Sequence, residues 1–390
     1  MLSSKKPSKK LLSECTVNFY MENSRSMDGY VNGTTEFKDV LGRMIVNTDH
    51  FCKVADFYFI NNEAYKAKSN AIDFIQMLNP SQIKVGNGGT TDVNRIFRTL
   101  LSQTKNDTIS ILFSDCIYSV KDVTESLDNA KNATTAAFLE ATKENPNFAT
   151  IILQFQSEFD GIYYDREDHK LSCRTQRPYY VVMMGHKDYL VQLYKEVKVA
   201  EMPKLLNSYF LSTESWTLNE DNVAAIISDY TNAKRIKPCK NYMDIEQISL
   251  DRSSNILEFA IGFDADNLFV TPDYLKDAKN YEVVPNDYQV MDVVIPSNAS
   301  LGDFSNKPKM PYALKLRVPE ASCVPMITIS LKNKLPGWVE ESNIPDDLNM
   351  IPSPTQSFAI QKMIEGIYNA YDISNRDIAK FEININKYKR

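Results

Sequence analysis

Three polar clusters in the first third of the chain carry side chains that could bind a metal ion. They are Glu22-Asn23-Ser24-Arg25-Ser26, Gly88-Gly89-Thr90-Thr91-Asp92 and Ser114-Asp115. Mg²⁺ and Mn²⁺ prefer oxygen ligands, and Mg²⁺ keeps several waters and needs only one or two protein carboxylates. The residue types therefore indicate a site for a hard divalent cation. Its five candidate ligands are Glu22, Ser24, Ser26, Thr91 and Asp115.

The elements predicted around these clusters would bring them together. Each cluster follows a predicted strand or directly precedes a predicted helix. The predicted strands are 16–21, 54–60, 108–113, 149–155 and 179–184, and the predicted helices are 36–47, 71–78, 93–102, 123–143 and 187–197. Strands that alternate with helices predict an α/β fold, a doubly wound, mostly parallel sheet with helices on both faces. The loops at the carboxyl ends of such strands meet at one crevice.

One segment of this first half interrupts the alternation. Residues 160–177 are polar and rich in tyrosine, and they lie between the last two predicted strands. This composition predicts a protruding hairpin or loop.

The order of the three clusters resembles the metal-ion-dependent adhesion site of the von Willebrand factor A (vWA) family. That family has D-x-S-x-S after its first strand, a threonine in a glycine-rich loop, and an aspartate after the central strand. Ser24, Ser26 and Asp115 match this pattern, as does Thr91, with Thr90 as the alternative register. The resemblance covers residues of about 14–200 and implies a vWA fold, which is Rossmann-like. It also implies an open coordination position that an acidic side chain of a protein partner fills.

The sequence departs from the family pattern at three positions. Glu22 stands where the family has aspartate, and its extra methylene brings the carboxylate about 1.5 Å closer to a metal, which either makes it a direct ligand or weakens the site. Arg25 stands where small residues are usual, and its charge could either replace the cation over the carboxylates or point outward to a partner's acidic group. Cys116 replaces the usual glycine.

The remaining segments predict a short arm and a second domain. Residues 1–13 are polar and rich in lysine and serine, which predicts a flexible arm before a vWA-like domain of 14–203. After residue 204 the chain becomes rich in β-prone runs separated by Pro, Asn and Asp, which predicts a sandwich-like β-rich domain. An amphipathic helix is predicted at about 356–372, and a final strand at 381–385. The 204–390 half resembles no family that we recognise.

Composition excludes several classes of protein. The chain has 390 residues, of which 50 are acidic and 44 basic, so its net charge is −6. Its basic residues form no concentrated stripe along the sequence, and we therefore expect no nucleic-acid partner. Its six cysteines form no CxxC pair, which favours free thiols in a reducing compartment. The sequence contains no membrane span and no secretory signal, so we expect a cytoplasmic protein. A targeting segment removed before residue 1 would leave no trace in this sequence.

These observations favour a binding protein over an enzyme. The three histidines, His50, His169 and His186, have no recognisable triad context, and Gly86-Asn87-Gly88-Gly89-Thr90 lacks the lysine of a phosphate loop. Glu22 and Asp115 could support metal-assisted hydrolysis, which we rank below binding. We therefore expect a module that binds a partner protein through Mg²⁺ or Mn²⁺. The alternative is a metal-independent structural subunit whose vWA fold is a scaffold and whose β-rich domain makes the contacts.

Overall fold

The computed structural model of the protein divides into two compact units. Unit 1 contains residues Met1–Thr213 and Leu335–Ser374, and unit 2 contains Glu214–Lys334 and Asn375–Arg390. The structure describes residues 12–52, 54–86, 92–117, 123–219, 221–225, 228–232, 237–238, 244–248, 255–297, 310–374 and 377–387.

Unit 1 is built on a seven-stranded sheet. Its strands are β1 (Thr16–Glu22), β2 (Val54–Ile60), β3 (Ala64–Lys66), β4 (Thr108–Ser114), β5 (Phe148–Tyr164), β6 (Lys170–His186) and β7 (Leu205–Ser212). The order across the sheet is β3-β2-β1-β4-β6-β5-β7. The three central strands predicted from the sequence, at 16–21, 54–60 and 108–113, are confirmed to within one residue.

The sheet is mixed, which departs from the mostly parallel sheet that we predicted. β1 pairs in parallel with β2 and β4, whereas β2–β3, β4–β6, β5–β6 and β5–β7 are antiparallel. The reason is the connection between β5 and β6, a short turn rather than a crossover helix, which forces neighbouring strands to run in opposite directions. The hairpin predicted at 160–177 is confirmed, and both of its strands extend far into it.

Helices cover both faces of this sheet, as predicted for the α/β class. In unit 1 the structure describes helices α1 (Asp28–Val31), α2 (Glu36–Phe51), α3 (Ala71–Gln76), α4 (Val93–Gln103), α5 (Val123–Glu144) and α6 (Lys187–Glu196). On one face, Tyr20 and Leu112 join the apolar residues of α4 and α5 in a single buried cluster. On the other face, Phe37 of α2 packs against Phe113, and Phe74 of α3 packs against Phe57. The alternation of strand side chains between two faces produces these two cores.

A distant part of the chain completes the first face, so the predicted boundary at 203/204 does not match the structure. β7 lies beyond that boundary but is the edge strand of the sheet. Residues 335–374 also return to unit 1 with α8 (Gly337–Glu341), β17 (Asn343–Ile344), β18 (Ser357–Phe358) and α9 (Ile360–Ser374). The apolar face of α9, predicted at about 356–372, is buried in the same cluster as α4 and α5. The Thr135 hydroxyl of α5 donates to the Gly366 carbonyl of α9 at 2.9 Å.

Unit 2 is β-rich, as predicted for the second half of the chain. Its described strands are β8 (Trp216–Thr217), β9 (Val223–Ala225), β10 (Lys237–Pro238), β11 (Asp244–Ile248), β12 (Ile256–Phe263), β13 (Tyr281–Val284), β14 (Gln289–Val294), β15 (Tyr312–Pro319), β16 (Met326–Lys332) and β19 (Asp377–Lys387), with helix α7 (Pro272–Lys276). One sheet has the order β10-β11-β19-β16-β13 with β8 beside β19, and the other has the order β14-β15-β12-β9. Alternate residues of both sheets, including Phe259, Leu316, Ile329 and Phe381, share one core, which is the arrangement of a sandwich.

Two further expectations concern the ends of the chain and membranes. Most of the predicted arm at 1–13 lies outside the described residues, but Leu12 is buried at the start of a short 3₁₀ turn, Leu12–Glu14. Among the helices that the structure describes, none is long and apolar enough to cross a membrane.

Candidate functional site

The candidate site lies at the edge where the parallel strands β1 and β4 both end. Met21 is level with Phe113, so Glu22 and Ser114 close their strands side by side. The polar residues that follow each strand are thereby held at the same edge of the sheet. The backbone of both strands is fixed by neighbours on either side, β2 beside β1 and β6 beside β4.

Two serines and an aspartate lie close together. The hydroxyls of Ser24 and Ser26 are 2.9 Å apart, and the Ser26 hydroxyl is near enough to the Asp115 carboxyl to oppose the rise of its pKa that burial causes. Three of the five predicted ligands are thus brought together. Asp115 is 3% exposed, and its Oδ1 also accepts the N–H of Ile117 at 3.3 Å.

Asp115 is in an environment that disfavours its charged form. Burial raises the pKa of this carboxyl, and the Ser26 hydroxyl, the N–H of Ile117 and the positive charge of Arg177 only partly oppose the rise. A positively charged group beside Asp115 would favour its ionised form, because opposite charges attract.

Glu22 belongs to a second group. It is 2% exposed, and its carboxylate accepts a hydrogen bond from the hydroxyl of Ser114. The Ser114 oxygen itself accepts the N–H of Cys116 at 2.8 Å. The Ser114–Glu22 hydrogen bond joins the ends of β1 and β4, and its acceptor is the Oε2 atom of Glu22. The extra methylene of glutamate therefore brings its carboxylate to the neighbouring strand end rather than leaving it free beside Ser24.

The backbone at Cys116 has a φ of 56°, in the left-handed region that favours glycine. This is the position at which the family resemblance expects glycine. The conformation is therefore one that suits the family pattern, although the residue does not.

Asn23 anchors the loop that leads toward the glycine-rich segment. Its side-chain amide donates to the carbonyls of Ile83 and Val85, each at 2.8 Å, and its oxygen accepts from the amide of Asn61 at 3.0 Å. Asn23, which has no role in the predicted site, thus fixes the backbone just before Gly86. Thr91 and its alternative Thr90 lie outside the described residues, together with Gly88 and Gly89.

Arg25 does not lie over the carboxylates of the site. Its side chain is exposed, and its guanidinium lies over the ring of Tyr164 on β5, 5.1 Å from the ring centroid. Of the two roles that the sequence allowed for Arg25, its geometry fits the outward-facing one.

A different arginine, Arg177 on β6, supplies the buried positive charge. It is 1% exposed and heads the fully buried side chains of the described chain in volume. Its guanidinium lies over the ring of Tyr163 at 4.2 Å, and the Tyr163 hydroxyl donates a hydrogen bond to Asp347. Sequence reasoning missed all three residues. A signal did exist, because Arg177 and the buried Tyr179 are two positions apart on one strand and so point to the same face.

The histidines and cysteines form no obvious catalytic group in the described residues. His186 caps α6 by accepting the N–H of Asp188 at 3.3 Å, and the ring of His169 pairs with Asp165 at 3.0 Å. The described cysteines are unpaired, in agreement with the prediction of free thiols; they are Cys15, Cys52, Cys116, Cys173 and Cys323.

The oxygens of Ser24, Ser26 and Asp115 fit the chemistry of a hard divalent cation. They are two neutral hydroxyls and one carboxyl, which lie close together where β1 and β4 end. Within the described residues, no group of three or more His, Cys, Asp or Glu side chains could hold a metal. A cation here would therefore depend on hydroxyls and water for most of its ligands.

Comparison with known proteins assigns the chain to no family. No protein-family model matches it, and no curated protein is significantly similar in sequence. The candidate site therefore rests on its own residues and geometry.

Proposed function

We propose that unit 1 is a vWA-like module that binds a partner protein, and that Ser24, Ser26 and Asp115 hold Mg²⁺ or Mn²⁺ for this purpose. Thr91 completes the ligand set, and Glu22 supports it from the neighbouring strand end. A cation at this position would offer an open coordination position to an acidic side chain of the partner. The role is binding rather than catalysis, and the chain acts as an interaction protein with two domains.

One observation carries the proposal: the three oxygen-bearing side chains converge at the carboxyl edge of β1 and β4. The hydroxyls of Ser24 and Ser26 are 2.9 Å apart, and Ser26 reaches Asp115. Three further features support it. The sheet contains the parallel order β2-β1-β4, helices cover both of its faces, and Cys116, at the position where the family pattern has glycine, has a left-handed backbone conformation that favours glycine.

A second candidate function is the metal-independent scaffold, in which unit 2 makes the contacts. The buried charge of Arg177 favours it, because this charge acts on Asp115 where a cation would otherwise act. In that case the crevice would be a structural remnant, and partner binding would not respond to chelators.

A titration with Mn²⁺ separates the two candidates. We expect the full chain to bind Mn²⁺ at one site in calorimetry, and Asp115→Ala to weaken binding by at least about tenfold while far-UV circular dichroism stays unchanged. The matched control is Asp49→Ala, an exposed aspartate on α2, which should bind like the wild type. If the folded wild type takes up no Mn²⁺, the metal-dependent function is wrong and the scaffold is favoured. A pull-down of partner proteins with and without EDTA tests the same two candidates. Loss of the partner in EDTA supports the metal-dependent function, and retention supports the scaffold.

A further inference from the structure

The electrostatics of the candidate site depend on Arg177, whose position is fixed by β6. Ser114 of β4 is level with Tyr180, so Arg177 extends past the end of β4 on the neighbouring strand, beside the segment that begins with Asp115. Backbone pairing with Ser157 of β5 holds Arg177 from the other side. The arginine therefore reaches the site by strand register and not by a mobile loop.

The guanidinium of Arg177 is buried against an aromatic ring. It lies over the Tyr163 ring, which is a favourable position for a planar cation. Neither terminal nitrogen has an acceptor with hydrogen-bond geometry in the described part of the chain. The Tyr30 hydroxyl donates its own proton to the carbonyl of Pro178, so its oxygen can accept from Arg177, and it opposes the lowering of the Arg177 pKa that burial alone would cause. A buried cation in this state is costly unless opposite charges lie close by.

Asp115 is one of those opposite charges. The register that sets Ser114 level with Tyr180 places Asp115, the next residue, beside the segment of β6 that carries Arg177, and the burial of both side chains limits the screening of their interaction by solvent and salt. When both carboxylates of the site are ionised, Glu22 and Asp115 carry two negative charges, and Arg177 balances one of them. A divalent cation would therefore bind at a site with a net charge of about −1, and not the −2 of its two carboxylates alone.

From this geometry we infer that Arg177 is a built-in counter-charge of the site, one that weakens its affinity for divalent cations and favours an anionic group of the partner. With Arg177, the site loaded with a divalent cation has a net positive charge; without it, the loaded site would be neutral. The inference rests on the proposed function, since it concerns the same oxygens. It assigns to Arg177 the role of setting both metal affinity and partner charge.

The test is the affinity for Mn²⁺ of the full chain and three variants. Arg177→Met removes the charge but keeps an unbranched side chain over Tyr163, Arg177→Lys keeps the charge, and Arg174→Gln removes an exposed arginine of the same strand. Because a divalent ion interacts with a unit charge twice as strongly as a monovalent ion, we expect Arg177→Met to bind Mn²⁺ at least about tenfold more tightly. Arg177→Lys should remain within about threefold of the wild type. Arg174→Gln should be unchanged.

The outcomes distinguish this inference from the function on which it rests. If the wild type binds no Mn²⁺ but Arg177→Met does, the counter-charge is upheld and the metal-dependent function is overturned. If the wild type binds and a folded Arg177→Met binds equally or more weakly, the counter-charge is overturned and the function stands. If neither binds, both are overturned.

A measurement without any Arg177 variant covers the case in which Arg177→Met fails to fold. Asp115→Asn leaves the arginine buried without this opposite charge, so near pH 7 the melting temperature should fall by about 4 °C or more in the absence of metal. An unchanged melting temperature would overturn the inference.

Discussion

Asp165, in the turn between β5 and β6, offers a sharp test of how the hairpin is held. Its Oδ1 accepts the N–H groups of Glu167 and His169, both at 2.9 Å. Its Oδ2 accepts the N–H of Asn349 at 2.8 Å and pairs with the His169 ring at 3.0 Å. The side chain is 0% exposed. Asp165→Asn keeps the shape but replaces one oxygen by an NH₂ group, which turns at least one of these N–H contacts into a donor–donor contact and removes the charge from the others.

The size of the effect follows from the bonds that are lost. A hydrogen bond to a charged acceptor contributes roughly 1.5–3 kcal/mol, and an N–H left without a partner adds to the loss. The contact with the His169 ring counts for little, because that ring is half exposed. We therefore expect Asp165→Asn to lower the free energy of unfolding by about 2–3 kcal/mol near pH 7. For a unit of this size the melting temperature should fall by roughly 4–9 °C.

The effect should depend on pH with a definite sign. Burial tends to raise the pKa of Asp165, but the N–H groups of Asn349, His169 and Glu167 outweigh it and hold the pKa below its ordinary value. A carboxyl whose pKa is lowered by folding stabilises the protein above its unfolded value of about 3.9. This stabilisation is lost as the pH falls through the lower folded value. The gap between the wild type and Asp165→Asn should therefore shrink below about pH 4.

Urea unfolding followed by circular dichroism, at about pH 7, about pH 5 and about pH 3.5, measures this gap. The control is Asp168→Asn in the same turn, where the side chain is exposed and φ is 63°, a conformation that asparagine accepts. Its effect should stay within about 0.5 kcal/mol. A penalty for Asp165→Asn that matches the control, or that is the same at every pH, would refute the reasoning.

Two further predictions test the packing of unit 1. A fragment of residues 14–203, the extent of the first domain predicted from the sequence, should be largely unfolded by circular dichroism, because it lacks β7 and the segment 335–374 that covers α4 and α5; a cooperative melt of that fragment would contradict the structure. Gly161→Ala should lower the free energy of unfolding by about 1–3 kcal/mol, because its Cβ would lie 2.8 Å from the Cα of Gly29, whereas Gly337→Ala, with no atom within 4 Å of the new Cβ, should be nearly neutral in the same urea titration.

Local patterns were sufficient for the elements that surround the site. The β-prone runs and the helical spacing between Thr16 and Ser114 predicted β1, β2, β4 and α2, because β1 and β4 are short runs that are buried on both faces and α2 buries one face at helical spacing. The same patterns placed the oxygens of Ser24, Ser26 and Asp115 at strand ends. They could not predict which antiparallel partner joins β4, since strand order depends on contacts between distant segments.

The return of residues 335–374 to unit 1 could not be predicted for a related reason. The amphipathic pattern of α9 shows that the helix buries one face, but it does not show which core receives that face. Gly366 gives the physical answer, since a Cβ there would lie 2.8 Å from the Lys131 carbonyl of α5. Close packing of these two helices depends on a small residue, and only the tertiary structure shows why.

Sequence alone also could not show that the positive charge near Asp115 comes from Arg177 and not from Arg25. Arg25 is adjacent to the predicted ligands in sequence, yet it begins a 3₁₀ turn, Arg25–Met27, and its side chain reaches out to Tyr164. Arg177 is distant in sequence, yet the antiparallel register of β4 and β6 places it beside the start of the loop at Asp115. A charged side chain that is close to the ligands in sequence can turn to solvent at little cost in free energy. A charged side chain that strand register holds inside the protein stays buried, and a nearby opposite charge must then balance it. The electrostatic partners of Asp115 are therefore determined by the sheet, and a variant that alters the site without touching any ligand should be sought first on β6.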